Sequence, residues 1–148
     1  MKSYVLCLFL ISTMAIQAQN IDIRADVVNV TTSKSSNGYS FNVTLHSIET
    51  GCPQYADWWE VLDKQGKLIY RRILFHSHPS EQPFTRSGGN VSLSPNETVY
   101  VRAHMNRAGY TGDVFKGSIA SGFQKIVKLI KFPKIIEKMP PQPDGCAF

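Results

Sequence analysis

Between residues 21 and 119 apolar and polar positions alternate in short runs, and turn-forming residues interrupt them about every 8 to 12 positions. The clearest run sets Tyr39, Phe41, Val43 and Leu45 against Ser40, Asn42, Thr44 and His46. Successive strand side chains point to opposite faces, so this segment predicts a strand with one buried face and one wet face. Asn37-Gly38, a strong hairpin signal, joins it to a strand over residues 21–33. A strand over 57–62 follows and turns at Asp63-Lys64-Gln65-Gly66 into a partner over 67–76. Pro79, Pro83 and Gly88-Gly89 then predict a loop, 90–93 a short strand, 98–105 a clear strand and 114–119 a last one.

About seven strands in this rhythm, with a tryptophan in the third, predict an all-β, immunoglobulin-like antiparallel sandwich with Trp59 in its core. A jelly roll or small barrel fits the same pattern. Beyond the strands, Ile119, Phe123, Ile126, Val127 and Ile130 recur at helical spacing, with Lys125, Lys128 and Lys131 elsewhere round the turn. This predicts a short helix over 118–132, ended by Pro133 and followed by a Pro-rich arm at 139–143. The helix would cover an open end of the sandwich or, as a basic amphipathic helix, lie on a membrane surface.

The opposite end carries a different signal. Lys2 precedes an apolar run from Tyr4 to Ile11, and small and polar residues follow up to Ala18-Gln19. That order marks a secretory signal, and the run is shorter than the roughly 20 residues a membrane span needs. The expected organisation is therefore a signal at 1–19, a sandwich at 20–119 and a helix-plus-tail at 120–148, with no transmembrane segment in the mature chain and a secreted or periplasmic location. Cys7 leaves with the signal. Cys52 and Cys146 remain, and an oxidising compartment pairs them, tying the tail back to the body. A thiolate metal site would want CxxC spacing, which is absent. The formal charge of +5 comes with no basic cluster, so nucleic acid is not an expected partner.

With 58–62 between 67–76 and 98–105, parity along each strand puts Trp58, Glu60, Tyr70, Arg72, His76, Tyr100, Arg102 and His104 on one outward face. Arg71 then falls awkwardly among inward apolar positions. Glu60 between Arg72 and Arg102 forms an opposite-charge ladder, and the aromatics beside it suggest a ligand-binding face. His76-Ser77-His78 places two imidazoles on one side of an extended chain. With His104 or Met105, and Glu81 nearby, they could hold copper or, second, zinc. The rival reading is a carbohydrate- or envelope-binding, or protein-interaction, module with Trp58, Tyr55 and Tyr100 as stacking platforms. No GxSxG, HExxH or phosphate-loop motif is present, and the expected function is a non-enzymatic exported binding domain.

The run GCPQYADWWEVLDKQGKLIYRRILFHSHPSEQPFTRSGG, residues 51–89, resembles a group of small secreted bacterial domains. The resemblance implies export and brings no activity with it.

Overall fold

The structure, a computed structural model, describes residues 23–127 and 130–147; the secretory signal expected at 1–19 lies outside them. Eight strands form two antiparallel sheets. They are β1 (Ala25–Ser35), β2 (Gly38–Ser47), β3 (Ala56–Asp63), β4 (Leu68–Ile73), β5 (Phe84–Val91), β6 (Val99–Met105), β7 (Val114–Ser118) and β8 (Gly122–Ile126). One sheet runs β1-β2-β5 and the other β4-β3-β6-β7-β8. The all-β sandwich is as the alternation predicts, and β3 lies between β4 and β6 as expected.

The alternating positions meet in the middle. Phe41, Val43 and Leu45 of β2 face Trp59 and Val61 of β3 and Val99, Val101 and Ala103 of β6, in one continuous apolar core. Trp59 has no exposed surface, and neither do Val61 or Val101. Burying side chains of this size stabilises by roughly 1.5 to 3 kcal/mol each, which fixes β3 as the spine of the five-stranded sheet.

Two expectations fail. The helix expected over 118–132 is not found among the described residues: β7 turns at 119–121 and returns as β8. Gly122 closes this hairpin at φ +75°, a backbone conformation that favours glycine. Its register opposes Gly117 to Phe123, and a Cβ on Gly117 would lie 2.0 Å from the Gly122 carbonyl oxygen. The Phe123 ring packs edge-on against Phe41 across the core, centroids 5.6 Å apart. Tertiary packing of one phenylalanine thus overrides a helical spacing that Ile119, Phe123 and Ile126 satisfy by coincidence. The only helical element past this point among the described residues is a 3-10 turn, Lys134–Lys138. The Gly88-Gly89 pair, expected in a loop, sits inside β5. A Cβ on Gly88 would come within 2.6 Å of the Tyr70 hydroxyl and 3.0 Å of the Trp59 ring, so glycine lets β5 pass over both.

Candidate functional site

The outward face of the five-stranded sheet is built on Glu60, in the middle of β3. Its cross-strand partners are Arg71 on β4 and Arg102 on β6. One carboxylate oxygen accepts from Arg71 Nε at 2.9 Å and Nη2 at 2.7 Å, the other from Arg102 Nε at 2.8 Å. Glu60 is fully buried, Arg71 is 4% exposed and Arg102 6%. Two guanidinium groups therefore share one carboxylate away from water.

Trp58 and His104 flank this triad on β3 and β6. Their rings stack 3.7 Å apart and 6° from parallel, with the Arg71 guanidinium 4.4 Å over the Trp58 ring. The Trp58 indole N–H donates to the Tyr110 hydroxyl at 3.2 Å. His104 Nδ1 lies 2.6 Å from Asp57 Oδ1. Burial raises the Asp57 carboxyl above its ordinary range, and the His104 bond opposes that rise. Burial likewise pushes the Tyr110 phenol well above its usual value, with the Glu60 charge adding to the effect.

This face is not open, because the C-terminal segment lies over it. Arg71 Nη2 donates to the Ile136 carbonyl at 2.7 Å, and Nη1 to those of Met139 at 2.6 Å and Pro141 at 3.1 Å. Ile136 and Phe132 pack with Leu62, Tyr100 and Leu68 in a second apolar cluster. The Cys52–Cys146 disulfide, expected from the sequence, fastens the far end, and the Ala147 N–H donates to the Phe75 carbonyl at 2.6 Å. Residues 130–147 form a strap clasped at both ends.

Of the expected face, Trp58, Glu60, Tyr100, Arg102 and His104 do share one side of the sheet. They are covered by the strap, and so are not the exposed recognition surface the parity predicts. Tyr70 and Arg72 do not join them. The pairing register shifts between Val61 and Leu62, where β4 carries an extra residue, and a bulge of this kind reverses the parity beyond it. Tyr70 therefore pairs with Val61 and packs 5.6 Å from Trp59 on the inner side, while Arg72 donates to the Ser87 carbonyl at 3.1 Å. Arg71 takes the place assigned to Arg72 in the ladder. The signal for it is visible in the sequence: a lone arginine among inward apolar positions. Tyr110 has no such signal. The stacking platforms proposed for a carbohydrate are closed, since Trp58, Tyr55 and Tyr100 are all buried.

The three histidines of the expected metal set do not converge. His76 is exposed, its ring 4.7 Å from that of His78, and His78 stacks on Phe84 at 4.1 Å. His104 is committed to Asp57 and Trp58, and Met105 faces the main core. Among the described residues no group of three or more His, Cys, Asp or Glu side chains is placed to hold a metal ion. The proposed copper or zinc set of His76, His78 and His104 is not brought together.

His78 has a structural consequence instead. It is buried, and neither ring nitrogen has a hydrogen-bond partner. Burial lowers its pKa first and the nearby Arg86 second, with Glu49 opposing. In the window just below the ordinary histidine value the unfolded chain therefore binds more protons than the folded one. Stability is expected to be full above that value and to fall as the pH drops through 6.5 toward the lowered pKa. Urea denaturation from pH 7.5 to 5 checks this: the decline should flatten in His78→Phe, and an unchanged slope would remove His78 as its cause.

No protein-family model and no solved structure matches the chain. A protein of Halomicrobium mukohataei named "Putative lipoprotein" is 36% identical over 114 residues. The match takes in 76% of this chain and 56% of that protein, so the chain spans just over half of its relative's length.

Proposed function

We propose that this chain is an exported, non-enzymatic binding module of the cell envelope. The observation that carries the reading is the strap. A cystine joining residues 94 positions apart is a structure of oxidising compartments, and here it secures the chain's last segment over a buried charge network. The name of the Halomicrobium relative points to the same compartment, as does the charged, apolar, small-residue order of residues 1–19. The polar groups that could do chemistry serve structure: both oxygens of Glu60 accept from arginines, and Asp57 holds His104. No helix among the described residues is long and apolar enough to cross a membrane.

Expression of the full chain in a bacterial host, followed by fractionation and mass measurement, tests the reading. The expected product lies in the envelope or medium, has lost about nineteen residues and offers no free thiol to alkylation. A full-length cytoplasmic product with reactive Cys52 and Cys146 would overturn it.

A further inference from the structure

Where the strap passes the end of β6, an open cleft of about 690 Å³ remains between it and residues 107–110. Four cationic side chains line it, Arg102, Arg107, Lys131 and Lys134, against a single acid, Glu137. Its aromatic walls are Tyr110 and Phe132. The volume is that of a small-molecule site.

We propose that this cleft binds an oxyanionic group, a carboxylate, sulfate or phosphate carried by a small extracellular ligand. Two independent features support this. The first is the charge balance at the floor. Arg102 is clamped between Tyr110, 3.4 Å from guanidinium carbon to ring centroid, and Phe132, at 4.6 Å. It shares the Glu60 carboxylate with Arg71, so this triad carries two positive charges for one negative, and the next buried carboxylate, Asp57, acts on Arg71 and is bonded to His104. Arg71 satisfies its remaining donors on strap carbonyls, whereas Arg102 lines the cleft. A cation with too little counter-charge is costly to bury, and Arg102, although only 6% exposed, is the cation that meets the cleft at its floor. The second is the rim. Arg107, Lys131 and Lys134 come from two separate segments, the loop after β6 and the strap, and all three are exposed at the mouth. Cations gathered from segments distant in sequence focus potential into a cleft with low-dielectric walls. Guanidinium groups are suited to planar oxyanions.

The inference rests on the binding-module reading, but it is tested on purified protein, so its failure leaves the export result standing. The probes are glucuronate, sulfate and inorganic phosphate, titrated at constant low ionic strength and followed by NMR. The chain has two tryptophans, which provide an internal control. The Trp58 indole N–H bonds to Tyr110 at the cleft wall and should shift on binding, while that of Trp59, in the inner core, should not. At least one probe is expected to bind more tightly than about 1 mM. Arg107→Ala/Lys134→Ala, both exposed and outside the buried network, should weaken it by about tenfold. Lys34→Ala, on the other sheet, should leave it unchanged. Which probe binds distinguishes a carboxylate ligand, such as a sugar acid, from one that carries a sulfate or phosphate group. No shift of the Trp58 signal with any probe, or equal affinity in the Arg107→Ala/Lys134→Ala variant, would overturn the proposal.

Discussion

Glu60→Gln is expected to lower the unfolding free energy by about 3 to 5 kcal/mol, the range for removing one partner of a buried ion pair. Glutamine fills nearly the same volume, so the loss reports charge and not a cavity. Its carbonyl can still accept from one arginine, and its amide nitrogen then points at the other guanidinium as a second donor. Arg71 and Arg102 would remain buried with no counter-charge between them, and neither can neutralise by losing a proton. Arg102→Leu should cost less, because Glu60 keeps its two bonds from Arg71. The order of the two variants is therefore part of the prediction. Urea denaturation followed by tryptophan fluorescence measures both. A loss under about 1 kcal/mol for Glu60→Gln, the scale of an exposed pair, would show that water reaches the triad.

The same triad marks how far the sequence is legible. The strands with period-two alternation could be read directly, because a half-buried strand writes its two faces into consecutive residues. Residues 39–45 are of this kind; Val99–Met105 alternates in the same way although both its faces are buried, and Trp59 as core tryptophan follows from them. The pairing of Cys52 with Cys146 was legible from the compartment alone. What could not be read were features set by distant contacts. The bulge in β4 exchanges Arg72 for Arg71, and only the discomfort of an arginine among apolar positions hints at it. The β7–β8 hairpin depends on Phe123 meeting Phe41, residues 82 positions apart in sequence. The face holds most of the residues that parity predicts, but the chain covers it. Nothing local in residues 130–147 says that three of their carbonyls will meet one guanidinium.

Cys52→Ser/Cys146→Ser is the second variant with a large expected effect. The cystine closes a loop with 94 positions of separation, for which the chain-entropy account gives an upper limit of about 4.7 kcal/mol at 25 °C. Engineered and native bridges usually deliver less, and a loss of roughly 2 to 4 kcal/mol is expected here. The strap should not simply detach. Ile136 is 2% exposed in its own apolar cluster, and Arg71 still donates to three strap carbonyls. Without the cystine, the end beyond Pro141 loses its covalent tie while the Phe132–Ile136 portion stays docked. Trypsin should then release the tail faster at Lys138, which is exposed but lies within the 3-10 turn and must leave it to be cut. The strand signal in circular dichroism should be unchanged before denaturation. Adding Arg71→Met to the serine pair should raise cleavage at Lys134 as well, since the carbonyl clamp is then gone. If the serine pair lost under about 1 kcal/mol and its cleavage matched the parent's, the strap would be held by Arg71 and Ile136 alone, and the cystine would constrain the unfolded chain less than its loop length implies.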